Sequence, residues 1–176
     1  ASYVYKRPLK HRNNNILYLS CANQFPTGIT VSTEKRAKLL DMIDEFELPV
    51  IENDFYRDLW IDEPPPPLKA DDKRGRIIYM GTFSHMVLSG LKVAWAILPP
   101  MLVERVADVK IQFYSTNNNI LELIAEEMLR QNYYMDYMDS VRPAFAERVD
   151  TVDRLLHKHL NGIAEWDKRN LVYNVW

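Results

Sequence analysis

A polar loop lies between two apolar runs in the stretch RIIYMGTFSHMVLSGLKVAWAILPP, residues 76–100. The flanking runs, RIIYMGTF and LKVAWAILP, have the length and composition of buried strands. The loop is rich in small hydroxyl residues and ends in a cation, Lys92, so its composition suits the binding of a phosphate group. This region therefore predicts two strands joined by a candidate anion-binding loop.

The residues before this region predict a βαβ unit. A short buried strand is expected in NILYLSCA, residues 15–22, and Ser32 is a suitable N-cap for the helix TEKRAKLLDMIDEF that follows. LPVIEND, residues 48–54, is typical of strands buried on both faces of a parallel sheet. A strand, a helix and a strand in this order favour a right-handed crossover between parallel neighbours.

A proline-rich segment, DEPPPPLKADDKRG, occupies residues 62–75. It lies between the βαβ unit and the stretch 76–100. Proline lacks the amide donor and fixes φ, so this segment is expected to be neither helix nor central strand. We predict a surface excursion.

The chain after Pro100 is expected to be helical, around residues 101–114, 118–131 and 142–160. An apolar stripe marks the second helix and consists of Leu121, Ile124, Met128 and Leu129. Asn161-Gly162 is a helix-ending pair. The aromatic cluster NYYMDYM, residues 132–138, is expected to serve packing or a dimer contact.

Composition places the chain among soluble globular proteins, as one domain or part of one, and predicts a cytoplasmic location. The 176 residues can bury a real core, and the formal net charge of −2 gives no electrostatic case for a nucleic-acid surface. The single Cys21 cannot form an internal disulfide. No apolar run approaches the roughly 20 residues that cross a bilayer, so no membrane partner is expected.

Four segments, in order and spacing, carry a resemblance to a known family: YLSCANQFPTGITVSTEKRAKLL, VIENDFYRDL, the opening stretch 76–100, and VRPAFAERVD. They resemble the fold-type-I aminotransferases that use pyridoxal 5′-phosphate. Within that superfamily the chain is most similar to the aminotransferase-like domains of MocR-type regulators of the GntR family. The resemblance implies an α/β fold, in which the second half of a doubly wound, mostly parallel large-domain sheet is followed by helices leading into a small α+β domain.

The resemblance also implies a domain organisation. Residues 1–100 would be part of the aminotransferase-like large domain, residues 101–160 a helical segment linking large and small domains, and residues 161–176 the truncated start of the small C-terminal domain, beginning with a strand. A complete domain of this kind needs an N-terminal half and a C-terminal lobe as well. The chain is therefore expected to be a piece of a longer protein or to have a partner that completes it.

Two positions of the family's cofactor site fall in ENDFY. The family's aspartate, which keeps the pyridine nitrogen protonated, matches Asn53, whose amide can bond the nitrogen but supplies no negative charge. Asp54 is next along the strand and should face the other way. Tyr56 matches the family's tyrosine at the phenolic oxygen of the cofactor, and Phe55 is the competing alignment. Because Asn53 supplies no negative charge, the capacity of the cofactor ring to withdraw electrons is expected to be weakened.

The family's Schiff-base lysine matches His85, and imidazole cannot form the stable imine of a primary amine. No catalytic residue is therefore assigned and no transaminase activity is expected, with pyridoxal 5′-phosphate bound noncovalently or absent. His85 is interpreted as a histidine without a task, with a noncovalent ligand contact or a role in another reaction as alternatives. The family's aspartate, lysine and arginine positions are all changed, to Asn53, His85 and Lys92. This favours a site that has lost its catalytic chemistry over an engineered variant, in which the lysine alone would be replaced.

Part of the phosphate seat is retained in the loop of the opening stretch. Thr82 and Ser84 keep hydroxyl groups, and Lys92 stands where the family has an arginine, which retains the charge but loses the bidentate fork. A retained anion site and a purely structural loop are both open interpretations. The predicted cofactor-binding residues are thus Asn53, Tyr56, Thr82, Ser84, His85 and Lys92, and no metal site is predicted.

The resemblance implies the effector-binding and dimerisation domain of a MocR-like regulator with an impaired cofactor site. Such a domain forms a homodimer, binds a small amine or amino-acid effector, and reaches DNA only through a winged-helix domain that is not in this chain. The alternatives are a pyridoxal-phosphate-dependent aminotransferase acting on amino acids and a non-catalytic pseudoenzyme subunit.

Overall fold

The computed structural model describes residues 15–60, 64–84, 91–113 and 119–168. In this part of the chain, four strands and one α-helix precede three further α-helices. The strands are β1 (Leu17–Leu19), β2 (Val50–Asn53), β3 (Ile77–Thr82) and β4 (Ala94–Ile97), and the helices are α1 (Thr33–Glu45), α2 (Pro100–Phe113), α3 (Asn119–Arg130) and α4 (Tyr133–Leu160). Two short 3₁₀ helices, Arg57–Leu59 and Leu68–Asp71, lie between β2 and β3.

The four strands form one sheet in the order β1-β2-β3-β4. The pairs β1–β2 and β2–β3 are parallel, whereas β3–β4 is antiparallel. The predicted strand–helix–strand unit is β1–α1–β2, and the Ser32 side chain caps α1 by accepting from the Lys35 backbone N–H. These elements confirm the α/β class and the mostly parallel sheet.

One face of the sheet is covered by α1 and the segment that contains the second 3₁₀ helix. Its core contains Ile43 of α1, Val50 of β2 and Ile77 of β3, together with Leu68, and each of these side chains is almost completely buried. Side chains alternate between the two faces of a strand, so the neighbouring positions on β2 and β3 point to the other face. This arrangement leaves one buried face and one open face in the described part of the chain.

The described part of the proline-rich segment, residues 64–75, lies largely at the surface as predicted, but it is fastened to this core and buries Leu68 in it. Arg36 of α1 donates to the backbone carbonyls of Pro66 and Pro67, and Arg57 donates to that of Pro65 at 2.9 Å. Proline residues offer no N–H groups but keep their carbonyl acceptors. Two guanidinium groups therefore supply the hydrogen bonds that a strand neighbour would otherwise give.

The buried carboxylate of Glu52 holds the same segment from the sheet side. Its two oxygens accept from the backbone N–H groups of Leu68 at 2.7 Å and Lys69 at 2.9 Å. These are first-turn amides of a 3₁₀ helix, which lack partners within the helix itself. Glu52 on β2 thus connects the sheet to the segment that covers it.

A second core forms where α4 begins. Leu59, Tyr134 and Met138 are buried together, and Phe83 meets the Tyr134 ring edge-on with centroids 5.3 Å apart. The Tyr134 hydroxyl donates to Asp58. Residues of the cluster NYYMDYM therefore serve packing in this chain, one of the two roles expected for them.

The apolar stripe predicted for α3 is only partly correct. Leu121 and Met128 are half-buried, but Ile124 and Leu129 are exposed, and Ala125 is the buried residue of this helix. Among the described elements α3 packs chiefly on α4, so only a narrow side of the helix is covered.

Helix α4 ends at Leu160, as the Asn161-Gly162 pair predicted, with Gly162 in the left-handed region at φ 78°. The strand expected in residues 161–176 does not appear in residues 161–168, and the remainder lies outside the described residues. Trp166 explains this path, since its indole N–H donates to Asp153 at 2.9 Å and its ring lies against His157. The segment therefore folds back along α4.

In the described part of the chain, much of the second face of the sheet and of the helical surface is exposed. On β1 Tyr18 is 59% exposed, and every residue of β4 is exposed. Large apolar side chains are also exposed on α2, including Met101 and Phe113. In the described part of the chain, no helix combines the length and apolar character needed to cross a membrane.

Candidate functional site

The carboxyl ends of β2 and β3 bring predicted site residues to one edge of the sheet. Asn53 is the last residue of β2 and pairs in register with Met80 of β3. Thr82 ends β3 two residues after Met80, so Asn53 and Thr82 lie on the same face of the sheet, where Asn53 is half-buried and Thr82 is buried. Ligands of open α/β sheets bind at this end of parallel strands.

The Asn53 amide is held by two hydrogen bonds. Its Oδ1 accepts from the Phe55 backbone N–H at 3.1 Å, and its Nδ2 donates to the hydroxyl oxygen of Tyr18. The side chain is half-buried. Its orientation at the strand end is therefore fixed by a turn on its own chain and by a neighbouring strand.

Tyr18 was not among the predicted site residues. It pairs in register with Ile51 of β2, which puts it on the open face one step from Asn53. The alternation of side chains along β1 was readable in the sequence, but the register between two strands 35 positions apart was not. The structure thus adds a phenol to the site.

Asp54 follows Asn53 but lies on the covered face, as alternation along a strand requires. Its Oδ2 accepts from the Tyr79 hydroxyl at 2.7 Å and forms an ion pair with Arg57 at 3.0 Å. Burial and the nearby Asp54 carboxylate raise the pKa of the Tyr79 phenol. Asp54 is thus committed to the interior and is not available on the face that carries Asn53.

The hydroxyl groups of the predicted phosphate seat bond within their own loop. Thr82 Oγ1 donates to the Val93 carbonyl at 3.0 Å and accepts from the Ser84 N–H at 3.1 Å. Ser84 Oγ donates to the Leu91 carbonyl at 2.8 Å. Both hydroxyl protons therefore hold the two sides of the loop together, which favours the structural interpretation of these residues over the anion site.

The two remaining loop residues of the prediction differ in what the structure says of them. Lys92 is exposed and lies between Leu91 and Val93, whose carbonyls accept from the loop hydroxyl groups. His85 lies outside the described residues. The structure therefore brings Asn53 and Thr82 to one edge, and the assignment of His85 rests on the sequence alone.

Tyr56, predicted at the phenolic oxygen of the cofactor, precedes the first 3₁₀ helix. Its ring is half-buried and packs against the second core of Leu59, Tyr134 and Met138. The competing residue, Phe55, contributes its backbone N–H to Asn53. Tyr56 thus has a packing role that the sequence did not indicate.

Acidic groups are concentrated beneath the site, on the covered face. Burial raises the pKa of Glu52, and burial together with Glu52 raises the pKa of the Cys21 thiol to about 12. Cys21 is therefore a protonated core residue near neutral pH and not a nucleophile. Within the described ranges, no group of three or more His, Cys, Asp or Glu side chains is placed to hold a metal ion.

Comparison with known proteins first gives a family. The model of the family "Aminotransferase class I and II" matches residues 5–174.

Two curated relatives are transcriptional regulators from Bacillus subtilis (strain 168). The HTH-type regulator YdfD is 33% identical over 94% of this chain, and the HTH-type regulator YisV is 35% identical over 89% of it. The matched regions are 34% and 33% of these proteins. The chain thus spans about a third of the length of the curated relatives it matches.

A solved structure gives the same fold. The crystal structure of a multiple substrate aminotransferase from Thermococcus profundus superposes with a TM-score of 0.83 and 28% identity. The superposition covers 89% of this chain and 39% of that enzyme.

Proposed function

Because the chain belongs to the class I and II aminotransferase family, we propose that it is the effector-binding and dimerisation domain of a MocR-like regulator of the GntR family, with an impaired pyridoxal phosphate site. The two curated relatives described above are HTH-type regulators, and the solved structure described above is an aminotransferase. A regulator that uses the aminotransferase fold for ligand sensing accounts for both similarities.

The observation that carries the proposal is the hydrogen-bonded amide of Asn53. Aminotransferases of this fold hold a protonated pyridine ring against a carboxylate, and that charge makes the ring an electron sink. Here an uncharged amide stands at the strand end, while the carboxylate of the next residue, Asp54, bonds Tyr79 and Arg57 on the other face. The residues present do not fit the protonated cofactor, so no reaction step is assigned to it.

The proposal treats the remaining site as a noncovalent receptor for a small amine, an amino acid or a pyridoxal-type ring. His85 supplies no primary amine for a covalent bond to an aldehyde. Asn53 and Tyr18 offer polar contacts at the strand ends, and Lys92 offers a cation near the loop. These groups bind and orient a ligand without transforming it.

We also propose a domain organisation for the chain. Residues 1–100 belong to the large domain, residues 101–160 link it to a small domain, and residues 161–176 begin that domain. DNA contact is assigned to an HTH domain outside this chain, in a cytoplasmic homodimer. The apolar side chains exposed on α2 and α3 provide surface for that assembly or for the rest of the protein.

A working aminotransferase is the second candidate, favoured by the TM-score of 0.83 to an enzyme of that kind. Two assays on the full-length protein separate the candidates. With pyridoxal 5′-phosphate, an amino acid and a keto acid, we expect no amino transfer above the protein-free blank. We expect its affinity for its own promoter DNA to change when pyridoxal 5′-phosphate or an amino acid is added.

Amino transfer with sustained turnover would reject the regulator and support the enzyme. A DNA affinity that no small amine, amino acid or pyridoxal derivative alters would reject the sensing role. The same protein with its HTH domain removed is the control, since it should bind ligand without binding DNA.

A further inference from the structure

The orientation of the Asn53 amide is fixed by the chemistry of its partners. The Phe55 backbone N–H is a donor and can only meet the amide oxygen, so Oδ1 must face it. The NH₂ group then necessarily faces Tyr18, whose hydroxyl oxygen accepts from it. The usual ambiguity between the oxygen and nitrogen of an amide is therefore resolved by the backbone.

Two donor hydrogens remain at this place. Asn53 Nδ2 carries a second hydrogen, and Tyr18 keeps its own hydroxyl hydrogen because its oxygen serves as the acceptor. Among the described residues, neither hydrogen has a further acceptor. Both groups lie on the open face, Asn53 as the last residue of β2 and Tyr18 as the middle residue of β1. The strand ends thus offer donors where the family's carboxylate offers an acceptor.

Resting on the proposed function, we propose that Asn53 and Tyr18 form a specificity pair that selects a ligand ring with an unprotonated, hydrogen-bond-accepting nitrogen. A neutral pyridine nitrogen can accept a hydrogen bond from this pair. A pyridinium N–H would meet another N–H, and its charge would have no carboxylate opposite it. The pair therefore favours the unprotonated ring, whereas the family's site favours the protonated ring.

Other acidic groups near Asn53 do not restore the lost charge. Asp54 is buried and bonded to Tyr79 and Arg57, and Glu52 is buried and bonded to two backbone amides. Both lie on the covered face, opposite to Asn53. The hydrogen-bonding groups that Asn53 and Tyr18 leave available on the open face are therefore donors.

The test uses the full chain and two probes that differ at the ring nitrogen. They are pyridoxal 5′-phosphate and its N-methylpyridinium derivative, and their dissociation constants are measured by isothermal titration calorimetry. We expect the N-methyl probe to bind about tenfold more weakly, the loss of about one hydrogen bond. With ¹⁵N-labelled pyridoxal 5′-phosphate, the bound nitrogen should give the chemical shift of an unprotonated pyridine.

Variants connect the preference to the two residues. Asn53→Asp should invert the preference, because a carboxylate favours the cationic ring, and should move the bound ¹⁵N shift to that of a pyridinium. Tyr18→Phe should reduce the preference without inverting it. In the unaltered chain, affinity for pyridoxal 5′-phosphate should rise with pH through the titration of the ring nitrogen, and Asn53→Asp should reverse this trend. The phosphate group titrates identically in both proteins, so the difference isolates the nitrogen.

Three results would overturn the inference: equal affinity for both probes, a protonated bound nitrogen, or no binding of either probe. None of these decides between regulator and enzyme, because amino transfer and DNA affinity are measured separately. The specificity pair can thus fail while the regulator stands.

Discussion

Replacement of Glu52 by alanine is expected to lower the free energy of unfolding by about 3 kcal/mol, because two amides lose their acceptor. Glu52 is 1% exposed and accepts from the backbone N–H groups of Leu68 and Lys69. Without it, the 3₁₀ helix over the covered face has orphaned donors at its start. Urea unfolding of the full chain, followed by circular dichroism, measures the change.

The matched control is Glu45→Ala at the exposed end of α1. This substitution should change the free energy of unfolding by less than about 0.5 kcal/mol. Similar losses for the two alanine variants would mean that the buried carboxylate does not fasten the proline-rich segment.

The same residue gives stability a dependence on pH. Burial raises the pKa of Glu52 in the folded chain, so the folded state binds its proton more tightly than the unfolded state does. The contribution of Glu52 is therefore full below the ordinary pKa of a glutamate and declines as pH rises through the raised value. The free energy of unfolding of the unaltered chain, minus that of Glu52→Gln, should fall as the pH rises above about 4, the ordinary range of a glutamate. A difference that rises over this range would contradict the burial effect.

Replacement of Met138 by alanine should lower the free energy of unfolding by about 3 kcal/mol. Met138 is fully buried against Leu59 and Tyr134, and Phe83 packs on the same cluster. This core joins α4 to the residues after β2 and to those after β3. The substitution should therefore also loosen both loops of the candidate site, which hydrogen exchange of the Phe83 and Ser84 amides would detect.

Met135→Ala is the control for this variant, since Met135 lies on the same helix and is 45% exposed. It should leave both stability and amide exchange near their original values. If Met135→Ala were as damaging as Met138→Ala, helix propensity and not the buried cluster would be responsible.

Most of the strands and helices were predictable because their signals are local. Ser32 caps α1 by the contact that its position suggested, and α4 ends at the Asn161-Gly162 pair. The interior of the sheet was less accessible to sequence reasoning. Glu52 interrupts an apolar strand, and only the fold brings the Leu68 and Lys69 amides to it.

The candidate site divides in the same way. The motif pointed to Asn53 and to the loop hydroxyls of Thr82 and Ser84, yet the partner of Asn53 is Tyr18, which depends on strand register. The hydroxyl bonds to Leu91 and Val93 depend on how the loop returns to β4. A motif identifies chemically capable residues, whereas long-range pairing decides which of their atoms remain available to a ligand.

The most direct test of the lapsed chemistry is reductive trapping. The full chain is equilibrated with pyridoxal 5′-phosphate, treated with sodium borohydride, denatured, and weighed by intact-mass spectrometry, with His85→Lys carried in parallel. We expect an unmodified mass for the unaltered chain and one phosphopyridoxyl group on the lysine variant. A stoichiometric adduct at a single lysine of the unaltered chain, Lys92 included, would contradict it.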